Sequence, residues 1–319
     1  PIITNLPIKG DYKANQIVFR GESIFISVGT ATNSAVVGPD NLWLKNPESR
    51  QIRDIPCEKI VLRSIAFESK NALSSNPERV RTSAYAPYGI AYPEETEIEG
   101  DIKCNGAVLK ADLDGQNLEV YAWGFRNPYG LGLGPDGAIY TTMQGFENRG
   151  TRPVENGQNC FYRIEEGSWY GWPDFSCGMA VTDSLFKPDD GFQPEFILAG
   201  NLAETPPKPI ARFSSGLLAN GFSFAPSRNW GTTTNTYIAL LSQDQGAKVA
   251  VVDIRTGKAS DFISGGLGYP SAVTFGPDDS MYITDKSSGV IWKVSPSGDS
   301  GIPAGVSLVY SAIGTVFLA

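Results

Sequence analysis

A short unit, strand then tight turn then strand, recurs four times in this chain and leaves few folds open to it. The fullest copy runs from Tyr121 to Gly145, YAWGFRNPYGLGLGPDGAIYTTMQG. Its Arg126-Asn127-Pro128 step sets a guanidinium and an amide just ahead of a residue that fixes its own φ and drives its predecessor to extended geometry, which makes a polar elbow between strands. Gly134-Pro135-Asp136-Gly137 then supplies a turn, Pro presetting φ and Gly permitting φ > 0, before the β-formers Ile139, Tyr140, Thr141 and Thr142. Asn15 to Gly29, Asn220 to Leu241 and Tyr269 to Asp285 repeat the pattern. The last of these turns at Gly276-Pro277-Asp278-Asp279, and Asn220 to Leu241 turns through a longer loop, Arg228 to Asn235. Further strand-like pieces such as Gly289 to Val294 (GVIWKV) bring each unit toward about four strands. Small antiparallel sheets repeated radially, an all-β β-propeller, fit this pattern better than the alternative, a β-sandwich with similar hairpins.

Length agrees with that reading, because all-β domains of this kind exceed ordinary domain size without dividing, and residues 1–319 are read as a single propeller domain. The formal net charge is −8 and no Lys/Arg block stands out, so no nucleic-acid partner is expected. No apolar run reaches the roughly 18 residues of a membrane span, so none is expected. The four cysteines form two local pairs, Cys57 with Cys104 and Cys160 with Cys177. Two disulfides would place the chain in an oxidising compartment; four buried free thiols are the other reading. No Asn-x-Ser/Thr sequon adds support for secretion. Histidine is wholly absent. That excludes Ser-His-Asp and Cys-His catalysis and any His-ligated metal, leaving carboxylates, Tyr, Lys, Arg or a cofactor for chemistry.

Longer polar stretches separate the units. Ala31 to Arg50 is too long for a hairpin connection and is read as functional or as an ordered cover. Ser74 to Gly100 ends in the acidic run Glu94 to Glu99, read as a solvated loop, and Phe146 to Asn159 is a charged loop. Trp169, Tyr170 and Trp172 crowd around Gly167 and Gly171, either as a sugar-stacking platform or, the preferred reading, as a wedge between blades. Glu204 to Pro209 is an extended connector. The adjacent carboxylates Glu165-Glu166 and Asp189-Asp190 would point to opposite faces of a strand and are read as surface residues.

WGFRNPYGLGLGPDGAIYTTMQG, followed by NRGTRP and GSWYGWPDF, resembles the soluble glucose/sorbosone dehydrogenase family. GDYKANQIVF, SVGTATNSAVVGPDN, LANGFSFAPS and GYPSAVTFGPDD carry the likeness over nearly the whole chain. The resemblance implies a propeller of the six-bladed type, of which this chain would cover about four to five blades. On that basis the sequence is read as incomplete at its N-terminus, a complete ring of fewer blades being the alternative. It further implies an extracellular or periplasmic oxidoreductase that depends on pyrroloquinoline quinone (PQQ) and calcium and acts on a sugar, polyol or related alcohol or aldehyde.

Carried over by position, the family's cofactor-contacting elbow matches Arg126 and Asn127. The loop whose main-chain oxygens hold calcium matches Gly145 and Phe146, and carbonyl oxygens suit a hard cation. The family's catalytic histidine follows an aspartate, so here Tyr12 occupies the position of the base with Asp11 beside it. A phenol with a reference pKa of ~10 is a poor base near neutrality, and a neighbouring carboxylate makes it poorer. The arginines that clamp the cofactor's carboxylates are missing from the blade entered by Tyr269-Pro270-Ser271, and Lys248 would substitute if its strand register allowed. Two functions are therefore expected as alternatives: the PQQ-dependent sugar dehydrogenase, or an inactive propeller of the same family that binds carbohydrate or protein.

Overall fold

Each recurring unit folds as an antiparallel hairpin, and further strands complete it into a sheet. The computed structural model describes residues 1–63, 65–74, 78–93, 95–199, 205–242 and 246–296; the first residues of the acidic run and of the proline-rich connector, Glu94 and Glu204, lie outside them. The first sheet orders Ala14–Arg20, Ser23–Val28, Ala107–Asp112 and Glu119–Trp123, and the second Asn127–Leu133, Ile139–Gln144, Asn159–Arg163 and Ala211–Phe213. The third runs Leu218–Phe224, Asn235–Leu241, Lys248–Asp253, Ala259–Ser264, and the fourth Pro270–Phe275, Met281–Asp285, Val290–Val294.

Alternation of side chains along the strands explains how these sheets stack. On Ile139–Gln144, Ile139 and Met143 enter a core shared with Phe25, Val108 and Tyr121 of the first sheet. Tyr140, one residue out of phase, enters a core shared with Phe222 and Ile238 of the third. Ile238 and Leu240 face back toward the second sheet, whereas Tyr237 and Ala239 face onward to Val273 and Ile283 of the fourth. The second and third sheets are thus buried on both faces. A two-layer sandwich buries one face of each sheet, so this is the stacking of propeller blades. Their first strands pack on one another: Asn127–Leu133 lies between Ala14–Arg20 and Leu218–Phe224, and the latter packs in turn on Pro270–Phe275.

Such close packing requires the polar side chains between first strands to find partners. Asn15 Nδ2 donates to Asn127 Oδ1 (2.7 Å), Asn127 Nδ2 to Gln144 Oε1 (2.8 Å), Gln144 Nε2 to Asn220 Oδ1 (2.8 Å), and Asn220 Nδ2 to Pro270 O (2.8 Å). One belt of amides therefore ties all four sheets together. Gly130 allows the approach, since a Cβ there would fall 2.6 Å from Thr142 Oγ1 and 2.9 Å from the Phe222 ring.

The described residues between 29 and 106 leave the first sheet between its second and third strands and pack against it. Much of 29–38 is buried, so this stretch is an ordered cover, continued by the 3-10 turns Leu42–Lys45 and Pro47–Ser49. Ile60–Leu62 pairs with both Glu97–Ile98 and Leu198–Ala199. Both expected disulfides form: Cys57–Cys104 closes the cover, and Cys160–Cys177 ties the second sheet to its 164–210 excursion. Asp174 of that excursion forms a buried ion pair with Arg152 from the loop before Asn159–Arg163, Nη2 to Oδ1 at 3.2 Å, and the same carboxylate accepts from the backbone N–H groups of Ile197 and Leu198. Among the described residues no helix is long and apolar enough to cross a membrane.

Candidate functional site

Four segments far apart in the chain meet at the elbow before Asn127–Leu133. Asp11 N donates to Ala31 O (3.0 Å) and Tyr12 N to Thr30 O (3.1 Å), which lays the leading segment along the cover. Thr30 N donates to Arg126 O (2.9 Å), which brings the cover onto the elbow. Asn33 then grips residues 147–149: its Nδ2 donates to Glu147 O (2.7 Å) and Arg149 O (3.1 Å), and its Oδ1 accepts from Glu147 N (3.0 Å).

Two guanidinium groups organise the side chains so gathered. Arg126 is 1% exposed. Its Nε donates to Asn33 Oδ1 (3.1 Å), its Nη2 lies 3.0 Å from Glu147 Oε2, and the same nitrogen donates in a short contact to the Tyr12 hydroxyl. The guanidinium carbon sits 4.4 Å from the centre of the Tyr12 ring, a cation–π contact. Arg149 holds three carboxylates: Nη2 is 2.8 Å from Asp11, Nη1 is 2.5 Å from Asp40, and Nε makes a short contact with Glu147. Its Nη2 also donates to the Tyr12 hydroxyl at 3.0 Å. Asp11 further accepts from Trp43 Nε1 (2.7 Å) and Asn41 Nδ2 (3.1 Å).

These contacts decide the protonation states. Burial raises the Tyr12 phenol above its ordinary value and Glu147 adds to the rise, while Arg126 and Arg149 pull against it. Tyr12 is therefore a neutral phenol near pH 7. Glu147 is also partly buried, but Arg126 and Arg149 outweigh that and hold it below the usual carboxylate range. Asp40 moves up, because burial prevails over its pairing with Arg149. Beneath the loop, Asp54 is pushed up to about 7 by burial, against hydrogen bonds from Thr32 and Ala31.

The structure thus brings together Asp11, Tyr12 and Arg126 of the residues singled out in the sequence. Asn127 adjoins them, but its amide faces the belt between sheets. Lys248 lies on the third strand of the third sheet, 2.9 Å from Asp261 Oδ1, and makes no ion pair or hydrogen bond with the Arg126 cluster among the described residues. Glu147, Arg149, Asn33 and Asp40 belong to the site and carried no individual signal. Their setting did, in one loop too long for a hairpin connection, Ala31 to Arg50, and one charged loop, Phe146 to Asn159.

As arranged, these residues do not fit PQQ or calcium. PQQ is a tricarboxylate, yet the two guanidinium groups already face three carboxylates, leaving excess negative charge. Calcium takes about 6–8 oxygen ligands. The backbone at Gly157 packs close to the Phe146 carbonyl, so that a Cβ there would lie 2.4 Å from it, and Gly145 packs on Gln158 O. No group of three or more acidic, His or Cys side chains is placed to hold a metal among the described residues.

No family model matches this chain, and no curated protein matches it. Solved structures do. A calcium structure of a Trichoderma reesei protein of Carbohydrate-Active Enzymes Family AA12 is 13% identical, with a TM-score of 0.53 over 90% of this chain and 69% of that one. The apo form of the soluble aldose sugar dehydrogenase from Escherichia coli is 16% identical, with a TM-score of 0.52 over 92% of this chain and 67% of that one. At these identities the likeness is one of fold, and it is to a β-propeller of the sugar-dehydrogenase type.

Proposed function

We propose that this chain is a sugar-dehydrogenase-type propeller that binds a sugar or polyol at the Arg126 cluster without oxidising it. The observation that carries this reading is the state of Tyr12, a phenol kept neutral by burial and clamped by two guanidinium groups; the family resemblance assigns this position to the base. A general base must hold a free lone pair near the operating pH, and this hydroxyl has none to offer. Binding is another matter. Glu147 and Arg149 are 42% and 29% exposed in their side chains, and half-buried Trp43 stands beside Asp11. Ionised carboxylates and a guanidinium fork make strong, directed hydrogen bonds, which suits vicinal hydroxyls. The fold likeness to an aldose sugar dehydrogenase supports a sugar as ligand, and the two disulfides support an extracellular or periplasmic setting.

The second reading is the PQQ- and calcium-dependent dehydrogenase. Burial of Arg126 next to Asn127, as the family resemblance requires of a cofactor-facing elbow, favours it. It also requires Glu147 to leave Arg126. Calorimetric titration with D-glucose and other aldoses, beside a dye-reduction assay with added PQQ and calcium, separates the two. We expect sugar binding that Glu147→Gln weakens about tenfold, and no dye reduction. Dye reduction would establish the second reading, and absence of sugar binding would remove the first.

A further inference from the structure

A polar cleft lies along the outer strand of the first sheet. The turn Glu165 to Ser168 is pinned there: Gly167 N donates to Tyr121 O (2.8 Å), Trp123 N to Ser168 O (3.1 Å), and Tyr170 N to Trp123 O (2.7 Å). Of the three aromatics crowded in this stretch, Tyr170 and Trp172 are buried and act as the wedge, Tyr170 stacking on Phe125 at 4.3 Å. Trp169 differs. It stays half-exposed while its position is fixed, its Nε1 donating to Trp172 O (3.2 Å), its ring meeting the Phe175 ring at 5.7 Å, and its edge filling the space that a Cβ at Gly124 would need.

The cleft beside it has a volume of about 770 Å³ and is lined also by Arg163, Glu165, Glu166 and Lys208. That size falls within the range of about 300–1,000 Å³ for small-molecule sites. Its charges are mixed. Glu58, Glu165 and Glu166 stand with Lys208 and with Arg163, which also pairs with Asp136 at 3.1 Å, while Lys110 is shared between Glu119 at 2.6 Å and Glu166 at 3.7 Å, so the cations are already largely neutralised. A strongly charged ligand would gain little there, whereas a neutral ring with an apolar face and polar edges meets both kinds of partner.

We propose that this cleft is a saccharide-binding site, distinct from the Arg126 cluster, in which one sugar ring stacks on Trp169 and the surrounding Glu165, Glu166, Arg163 and Lys208 take its hydroxyls. None of the residues of the Arg126 cluster lines it, so the proposal does not depend on the reading of that cluster. A rigid aromatic face presents a large contact area at little cost in conformational entropy, and the exposed charged side chains supply directional hydrogen bonds around it.

The test is saturation-transfer NMR and tryptophan emission with cellobiose, maltotriose, xylobiose and chitobiose at tens of millimolar. At least one should bind. Trp169→Ala should weaken it by about tenfold or more, Trp169→Phe should keep it within about threefold, and Lys208→Ala, on an exposed side chain with no core role, should weaken it about threefold. Repeating the titration with Glu147→Gln separates this cleft from the Arg126 cluster, and cleft binding should persist there. Failure of all four sugars, or binding that survives both Trp169→Ala and Lys208→Ala in folded protein, overturns the proposal.

Discussion

Asp54 lies fully enclosed under the loop that holds Arg126, with Oδ1 accepting from Ala31 N (2.6 Å) and Oδ2 from the Thr32 hydroxyl (2.6 Å). Burial moves its carboxyl from 3.8 to about 7, and the neighbouring Asp11 adds to the rise. Tyr85, the other titratable group it faces, is raised by burial too and stays neutral. Because the folded pKa is the higher one, the native state between about pH 4 and pH 7 holds a proton that the unfolded chain has released, and stability falls as pH rises through that window. The gap between 3.8 and about 7 corresponds to about 4 kcal/mol at its full extent. Asp54→Asn keeps the shape, accepts from Ala31 N through its oxygen, donates to the Thr32 hydroxyl through its nitrogen, and does not titrate. We expect the variant to be more stable than the wild type, with an advantage that widens by about 2–3 kcal/mol between pH 5 and pH 8. Guanidinium unfolding curves with both disulfides intact measure it. If the two proteins give parallel stability-against-pH curves, the carboxyl ionises without penalty and the reasoning fails.

Gln144→Leu should leave Asn127 Nδ2 and Asn220 Oδ1 unpaired and buried, costing about 2–4 kcal/mol. A loss below about 1 kcal/mol in chemical unfolding would mean that the amide belt adds little to the joining of the sheets. The Cys57–Cys104 bridge spans a sequence separation of 47, and replacing both cysteines with alanine should destabilise the chain by about 4 kcal/mol on the loop-entropy account. Thermal melts of the double variant test that, and an unchanged midpoint would show that the cover is held by packing alone.

Local chemistry carried the sheets. Gly134-Pro135-Asp136-Gly137 turns with Gly137 at φ +76°, Asp136 Oδ1 accepting from Ala138 N at 3.1 Å and Oδ2 from the Tyr140 hydroxyl at 3.1 Å. The other copy repeats each contact, with Asp278 bound by Ser280 N at 3.2 Å and the Tyr282 hydroxyl at 3.0 Å, and Asp279 taking the left-handed position at φ +56°. Such turns are decided by residues a few places apart, so they were legible in the chain, and the spacing of the four cysteines favoured the two disulfides that form; Asp11, Tyr12 and Arg126 were linked only through the family resemblance. Whether a charge has a partner is not a local property. Glu147 and Arg149 look like any solvated loop until Asp11, Asp40 and Arg126 arrive from other elements to ion-pair with them and Tyr12 and Asn33 to hydrogen-bond them. The same holds for Asp54, whose pKa depends on what encloses it, and for Lys248, whose strand was readable but whose neighbour Asp261 was set by register. Hydrogen-bond geometry within a hairpin is determined by the sequence itself, whereas desolvation and Coulomb energy depend on the groups that folding brings close, and only the tertiary structure decides which those are.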